Sequence, residues 1–192
     1  MVTKNFARFL NGYTSFYDRR YSFNTILQNI KGEDQVINIQ DKDDSYANTP
    51  QVYSSALFHK LGLTSLEDKG TAYTNCKTGM FFGNGTTPTT TDDYKLNSML
   101  DYSVGALTLV SQTVTNITDK DTPYIYTCTI RNNGAEDITI SESALISRIF
   151  DDSKSSSDTN FIVYFLWARD TFEPVTLQPG ETRAFTMTIG LE

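Results

Sequence analysis

The chain has 192 residues, which is the length of one domain and is enough to bury a substantial core. Its net charge of −7, with no basic cluster, excludes sequence-independent binding to nucleic acid or to an anionic membrane surface. Threonine and serine contribute 27 and 16 residues and aromatic residues 12% of the chain, a composition that favours β-strands over disorder.

Membrane and secretion signals are not visible in the sequence. No run of 18 apolar residues is present, so we expect no membrane-spanning helix. Residues 1–8 lack the apolar stretch of a secretory signal, and we therefore expect a soluble protein that such a signal does not export.

The first 35 residues are rich in large apolar side chains but lack a strand pattern. The spacing of the aromatic residues at the start of this segment predicts a short amphipathic helix. Two interpretations stay open: an extension that packs over the chain's own core, or an arm that reaches a neighbouring subunit. In the second, the interface candidates are Phe6, Phe9, Tyr13, Phe16 and Tyr17.

From residue 36 onward, short apolar runs separated by turn residues predict a series of strands. These runs cover residues 36–40, 51–59, 79–83, 106–115, 124–131, 138–149, 161–167, 175–177 and 184–189. Apolar and polar residues alternate in the runs 124–131 and 184–189, as in strands with one buried face. Residues 161–167 are apolar on both faces, which is typical of a central strand.

Many short strands with Gly, Pro and Asn turns are typical of a sandwich or a barrel. We therefore predict an all-β fold, a jelly-roll-like β-sandwich with a partly helical N-terminal extension. The predicted division is an extension or arm over residues 1–35 and a β-sandwich domain over residues 36–192.

Few residues offer catalytic or metal-binding chemistry. The chain has one histidine, His59, and two cysteines, Cys76 and Cys128, whose separation fits no metal motif. We expect Cys128 to be buried, because it lies on the apolar face of its predicted strand. We accordingly predict no catalytic residue, no metal and no cofactor, and a protein that is not an enzyme.

Acidic residues cluster in predicted loops, where solvated turns are the simplest interpretation. The clusters are Asp41/Asp43/Asp44, Asp92/Asp93, Asp119/Asp121 and Asp151/Asp152. Aromatic residues close to loops leave a sugar-binding face as an alternative, because such rings stack on sugars. The candidates are Trp167, Tyr46, Tyr53, Tyr73, Tyr94 and Tyr102.

Turn and strand motifs stand out in two stretches of the chain. The first, Gly79–Pro88 followed by Asp92–Leu96, is similar to a "G-x-G-x-T-P-x-x-x-D-x-x-L" segment of small structural proteins of tailed bacteriophages. The second runs from Ile140 to Thr182 and is similar to an "I-x-E-x-G-L" strand followed by an "L-x-R-x-x-x-x-P-V-x-x-x-P-G-E" strand, turn and strand. The chain departs from the pattern at residues 143–145, where a glycine is usual.

The resemblance covers roughly residues 79–192 and implies a class of protein rather than a specific role. It implies a non-enzymatic virion structural protein, assembled in the host cytoplasm, that self-associates and docks on the capsid, neck or tail. Its role would be decoration, joining or stabilisation, and its partners would be other virion proteins and further copies of itself, not nucleic acid or membrane. The alternative is a carbohydrate-binding module of a phage tail or fibre that attaches to a host glycan.

Overall fold

The computed structural model describes residues 1–8, 22–40, 78–100, 106–115, 124–150 and 162–189. Within these ranges the chain is mostly antiparallel β-strand, with one helical turn at residues 4–8, so the predicted all-β fold is confirmed. The described strands are β1 (Ser22–Gln28), β2 (Asp34–Gln40), β3 (Thr78–Gly83), β4 (Leu107–Thr115), β5 (Tyr124–Asn132), β6 (Ile138–Phe150), β7 (Ile162–Leu177) and β8 (Thr182–Ile189). No helix in these ranges has the length and apolarity needed to cross a bilayer.

The strands form a hairpin, β1–β2, and two three-stranded sheets. Sheet 1 has the order β3-β6-β7 and sheet 2 has the order β4-β5-β8. The rings of Phe82 in sheet 1 and Phe185 in sheet 2 lie 4.8 Å apart, and Phe172 in sheet 1 also packs on Phe185. The two sheets therefore face each other like the layers of a β-sandwich.

Sheet 2 has one buried face and one solvent face. In β5, Tyr126, Cys128 and Ile130 are buried, and in β8 so are Met187 and Ile189. The alternate residues of β8, Ala184, Thr186 and Thr188, are exposed. The alternation that the sequence predicts for these two strands, and the burial of Cys128, are confirmed.

Sheet 1 is buried on both faces. Residues 141–147 of β6 and 165–169 of β7 are all buried, so inward and outward positions are covered alike. Sheet 2 covers one face, and the other lies under the loop that follows β3.

β7 corrects two predictions. The runs 161–167 and 175–177, predicted as separate strands, both belong to this single strand. Between them, β7 carries extra residues relative to β6, because Ile140 pairs with Val175 whereas Glu142 pairs with Thr171. Such a bulge accommodates Pro174, which otherwise argues against a continuous strand.

The prediction of a central position for residues 161–167 is also wrong. β7 lies at one end of sheet 1 among the described strands. Its outer edge is nonetheless covered, because Val2 bridges Ala168 and Asn29 bridges Phe165. A covered edge strand can be as apolar as a central one, because its backbone groups are partnered on both sides.

The hairpin joins the N-terminal part of the chain to the core. β1 and β2 pair from Ser22↔Gln40 to Gln28↔Asp34, and Gly32 in their turn has a positive φ of 86°. Leu27 and Ile37 are fully buried in the same core as the sheets. The predicted boundary between residues 35 and 36 falls within β2.

Candidate functional site

A buried ion pair lies on the face of sheet 1 that points away from sheet 2. Glu142 of β6 pairs with Thr171 of β7, and Arg169 lies two residues before Thr171. Because residues two apart in a strand point to the same side, Glu142 and Arg169 share one face of the sheet. Arg169 Nη2 lies 2.8 Å from Glu142 Oε2, and Arg169 Nε donates to the same oxygen at 2.9 Å. The side chains are 1% and 0% exposed. Charges buried this deeply persist only when they are paired and hydrogen-bonded.

Glu142 also binds the backbone of the 84–100 loop, residues 84–100 between β3 and β4. The backbone N–H groups of Ser98, Asn97 and Gly85 donate to its carboxylate at 2.7, 3.1 and 3.2 Å. With the guanidinium of Arg169, these bonds occupy both carboxylate oxygens. The carboxylate therefore ties both ends of the loop to sheet 1.

Arg169 holds the middle of the same loop. Its Nη1 donates to Asp93 Oδ2 at 2.9 Å, and its Nη2 donates to the carbonyl of Thr87 at 3.0 Å. We call Asp93, Glu142 and Arg169 the clasp. Since Nε, Nη1 and Nη2 of the guanidinium each face an acceptor, the clasp holds the loop against sheet 1.

Asp93 is the clasp residue nearest to solvent, with a side chain 17% exposed. Its partial burial acts to raise its pKa. Hydrogen bonds from the Thr90 backbone, from Arg169 and from the Thr90 hydroxyl, with the charge of Arg169, outweigh burial and hold the pKa below the usual value of 3.8. Asp93 is therefore ionised at neutral pH, as the guanidinium requires.

Two glycines allow the loop to approach Glu142. A Cβ atom at Gly83 would lie 2.3 Å from Glu142 Oε1, and one at Gly85 would lie 2.6 Å from the same oxygen. Side chains at these positions would displace the carboxylate or the loop. The clasp thus explains why glycine stands at both positions.

The N-terminal segment, residues 1–8, lies beside the clasp as an added strand on β7. The Arg169 N–H donates to the Met1 carbonyl at 3.0 Å, and the Thr3 N–H donates to the Trp167 carbonyl at 2.9 Å. The Lys4 N–H donates to the carbonyl of Thr91 in the loop at 2.8 Å. The segment therefore fills the space between the β7 edge and the 84–100 loop.

Asn5 connects this segment to the hairpin. Its side-chain amide exchanges two hydrogen bonds of 2.7 Å with the backbone of Gln28. The next two residues extend the contact to β7. Asn29 bridges Phe165, and Ile30 donates its N–H to the Tyr164 carbonyl at 3.2 Å. Segment, hairpin and loop thus meet along one edge of sheet 1.

A cleft of about 180 Å³ opens where these three elements meet. It is smaller than the roughly 300 Å³ at which pockets for drug-sized ligands begin. Its charges pair with one another: Lys4 contacts Asp92, and Arg8 lies 3.9 Å from Asp34. In the described ranges no group of three or more His, Cys, Asp or Glu residues could hold a metal ion.

The interface candidates have different outcomes. Phe6 is 3% exposed, and its ring packs edge-on against Trp167 of the same chain, with centroids 6.4 Å apart. Its ring therefore offers almost no surface to another subunit in this conformation. Phe9, Tyr13, Phe16 and Tyr17 lie outside the described residues.

Other sequence candidates are placed as follows. Trp167 is fully buried and donates its Nε1–H to the Ser147 hydroxyl, so stacking of its ring on a sugar is excluded in this conformation. Tyr94 is half-buried against Gly32, with Lys95 Nζ 5.6 Å from its ring centroid. Sugar binding by Tyr94 stays a prediction. The candidates outside the described ranges are His59, Cys76, Tyr46, Tyr53, Tyr73, Tyr102 and the acidic clusters other than Asp92/Asp93.

No local pattern in the sequence identifies the clasp. The interpretation of Asp92 and Asp93 as solvated turn residues is wrong for Asp93, which is mostly buried and binds Arg169. The available signal was the pair of stretches that carry the phage resemblance, since they contain Gly85, Asp93, Glu142 and Arg169. These motifs are separated by more than 40 residues, yet the structure brings them into direct contact.

Comparison with known proteins adds no relative. No protein-family model matches the chain, and neither a curated protein nor a solved structure matches it significantly.

Proposed function

We propose that this protein is a non-enzymatic structural subunit of a bacteriophage virion, assembled in the host cytoplasm. It self-associates and docks on the capsid, neck or tail, where it decorates, joins or stabilises the particle. Assembly proceeds by burying apolar area in symmetric contacts that are multiplied by the number of copies.

The observation that carries this proposal is the contact between the two stretches that resemble phage structural proteins. Glu142 and Arg169 come from the second stretch, and both bind residues of the first. Motifs that meet in one contact are a physical unit, which supports treating the two resemblances as one. The resemblance supports the class, which the fold alone does not fix.

The use of the buried charges also supports a structural role. Glu142 binds three backbone N–H groups and one guanidinium, and Arg169 binds two carboxylates and one carbonyl. These groups hold a surface loop in one conformation. A loop held this way presents a rigid surface, which lowers the entropy cost of docking on a partner.

Light scattering on the purified, untagged chain over a wide concentration range tests self-association. We expect a discrete oligomer with a mass that is a small multiple of 21.6 kDa, and uniform rings or short tubes by electron microscopy. A monomer at every concentration would contradict the proposal, and a glycan array would then test the host-attachment alternative.

Replacing the four interface candidates outside the described ranges tests whether they form the contact between subunits. We expect replacement of Phe9, Tyr13, Phe16 and Tyr17 together by Ser to reduce the mass to that of a monomer without lowering the thermal midpoint. Val36→Ser is the matched control, because Val36 is 62% exposed on the hairpin and we assign it no contact. If both variants keep the oligomer, these four residues are not the interface.

A further inference from the structure

The N-terminal segment binds β7 in the manner of a separate peptide. Val2 lies opposite Ala168, and the two backbone bonds that flank this pair, from Arg169 to Met1 and from Thr3 to Trp167, are those of an antiparallel strand. Strand addition depends on backbone groups and not on which molecule supplies the strand. The same bonds can therefore form with a segment from another copy.

Side chains fix the register of this added strand. The Thr3 hydroxyl donates to the Leu166 carbonyl at 2.8 Å, and Thr3 is 2% exposed. Phe6 places its ring edge-on against Trp167. A buried hydroxyl and a buried ring make the site selective for this segment rather than for any extended chain.

The connection to the rest of the chain is longer than the contact requires. The Thr25 hydroxyl of β1 donates to the Arg8 carbonyl at 3.3 Å, so the end of the segment lies beside β1. Residues 9–21, thirteen in number, join Arg8 to Ser22. A connection between adjacent elements commonly needs about 2–6 residues, whereas thirteen can span roughly 40 Å when extended. A connection of that length would let the segment leave its own β7 for that of an adjacent copy.

From these observations we propose that the N-terminal segment exchanges between copies of this chain. Each copy places residues 1–8 on β7 of its neighbour, with Phe6 against the neighbour's Trp167. An edge left open by a departed segment is a template for the incoming one, and the exchanged contacts equal those lost. The equilibrium between a segment on its own β7 and a segment on the neighbour's β7 then depends on local concentration, which is high in an assembly. This inference rests on the proposed self-association and gives its mechanism.

A disulfide between copies tests the exchange. Val2 and Ala168 form a pair flanked by the two backbone bonds, for which Cα atoms lie about 4.5 Å apart, within the range that a disulfide spans. Two proteins are prepared in a Cys76→Ser background, one with Val2→Cys and one with Ala168→Cys. They are mixed at the concentration where light scattering detects the oligomer, and then oxidised.

We expect a covalent dimer containing one chain of each kind, at twice 21.6 kDa on a non-reducing gel. The matched control mixes Val2→Cys with Thr186→Cys, which lies on the exposed face of β8, and should give only background dimer. The double variant Val2→Cys/Ala168→Cys shows whether the two positions are adjacent at all, since they would crosslink within or between chains.

Each outcome is decisive. If the double variant crosslinks only within one chain and the mixture gives no dimer, although the protein is oligomeric, exchange is wrong and self-association stands. If the double variant forms no crosslink in natively folded protein, the pairing on which the exchange depends is wrong. If the protein is monomeric throughout, both proposals fail.

Discussion

The two sheets are built from the same number of described strands, but one contains a buried ion pair and the other an exposed one. Arg183 in sheet 2 lies 2.9 Å from Glu181, and these side chains are 45% and 30% exposed. Arg169 in sheet 1 lies 2.8 Å from Glu142, and both are buried. The distance between the charges is almost the same, so burial and the number of partners distinguish the two pairs.

This difference follows from what covers each sheet. Arg183 pairs with the buried Ile130 and so lies on the inner side of sheet 2, but it stands near the start of β8, where both charges reach water and need no fixed partner. The outer face of sheet 1 lies under the 84–100 loop, whose backbone N–H groups would be unsatisfied there without an acceptor. Glu142 supplies the acceptor, and Arg169 supplies the charge that makes a buried carboxylate tolerable.

Removal of one arginine from each sheet should have the largest and most unequal effect. We expect Arg169→Met to lower the free energy of unfolding by about 3–5 kcal/mol, because Glu142 would remain buried without its counter-charge. Arg183→Met should cost less than about 1 kcal/mol, because its pair is exposed to solvent. Urea denaturation of both variants measures this, and equal losses would show that burial does not distinguish the two pairs.

Two glycines sharpen the comparison at a smaller scale. Gly85→Ala places a methyl group against Glu142, and we expect a loss of about 1–3 kcal/mol from overpacking. Gly180, in the turn between β7 and β8, has a φ of 82°, and no atom lies within 4 Å of the position that a Cβ would take there. Gly180→Ala should therefore cost about 1 kcal/mol from backbone strain alone.

Thermal unfolding of the two glycine variants, combined with that of Gly85→Ala/Arg169→Met, separates these causes. The cost of Gly85→Ala should shrink when the clasp is already broken, because the methyl group then meets a carboxylate that is free to move. An unchanged cost would mean that Gly85 is required for its backbone and not for its distance from Glu142.

The last expected effect is a pH dependence from Asp93. Its folded pKa lies below its unfolded value of about 3.8, so the unfolded state takes up the proton first as the pH falls. Its stabilisation is complete above the unfolded pKa and is lost as the pH falls through the folded pKa. We expect Asp93→Asn to cost about 1–2 kcal/mol at pH 7, through weakened hydrogen bonds to Arg169 and Thr90, and almost nothing at low pH.

Unfolding at pH 7 and at a series of pH values falling below 3.8 measures this difference. Asp92→Asn is the matched control, because Asp92 is the neighbouring residue, is 70% exposed and contacts only Lys4 among the described partners. A gap between the wild type and Asp93→Asn that stays constant with pH would show that Asp93 acts by its shape and not by its charge.

Local sequence patterns determined the strands that have one buried face and one exposed face. The alternation in β5 and β8 predicted their buried sides, and the turn residues that separate the runs 175–177 and 184–189 predicted the end of β7. These features depend on the two-residue period of a strand and on turn chemistry, both of which are readable over a few residues.

Only the tertiary structure decided which residues form the clasp and what covers β7. Arg169 belongs to the polar stretch that divided one strand into two predicted strands. Its partner Glu142 lies 27 residues earlier, in β6, and so no local pattern could show that Arg169 is buried and paired. The coverage of the β7 edge by Val2 depends on residues 166 positions apart. The favourable environment of a buried charge or an apolar edge is made by distant segments, and a local pattern carries no information about them.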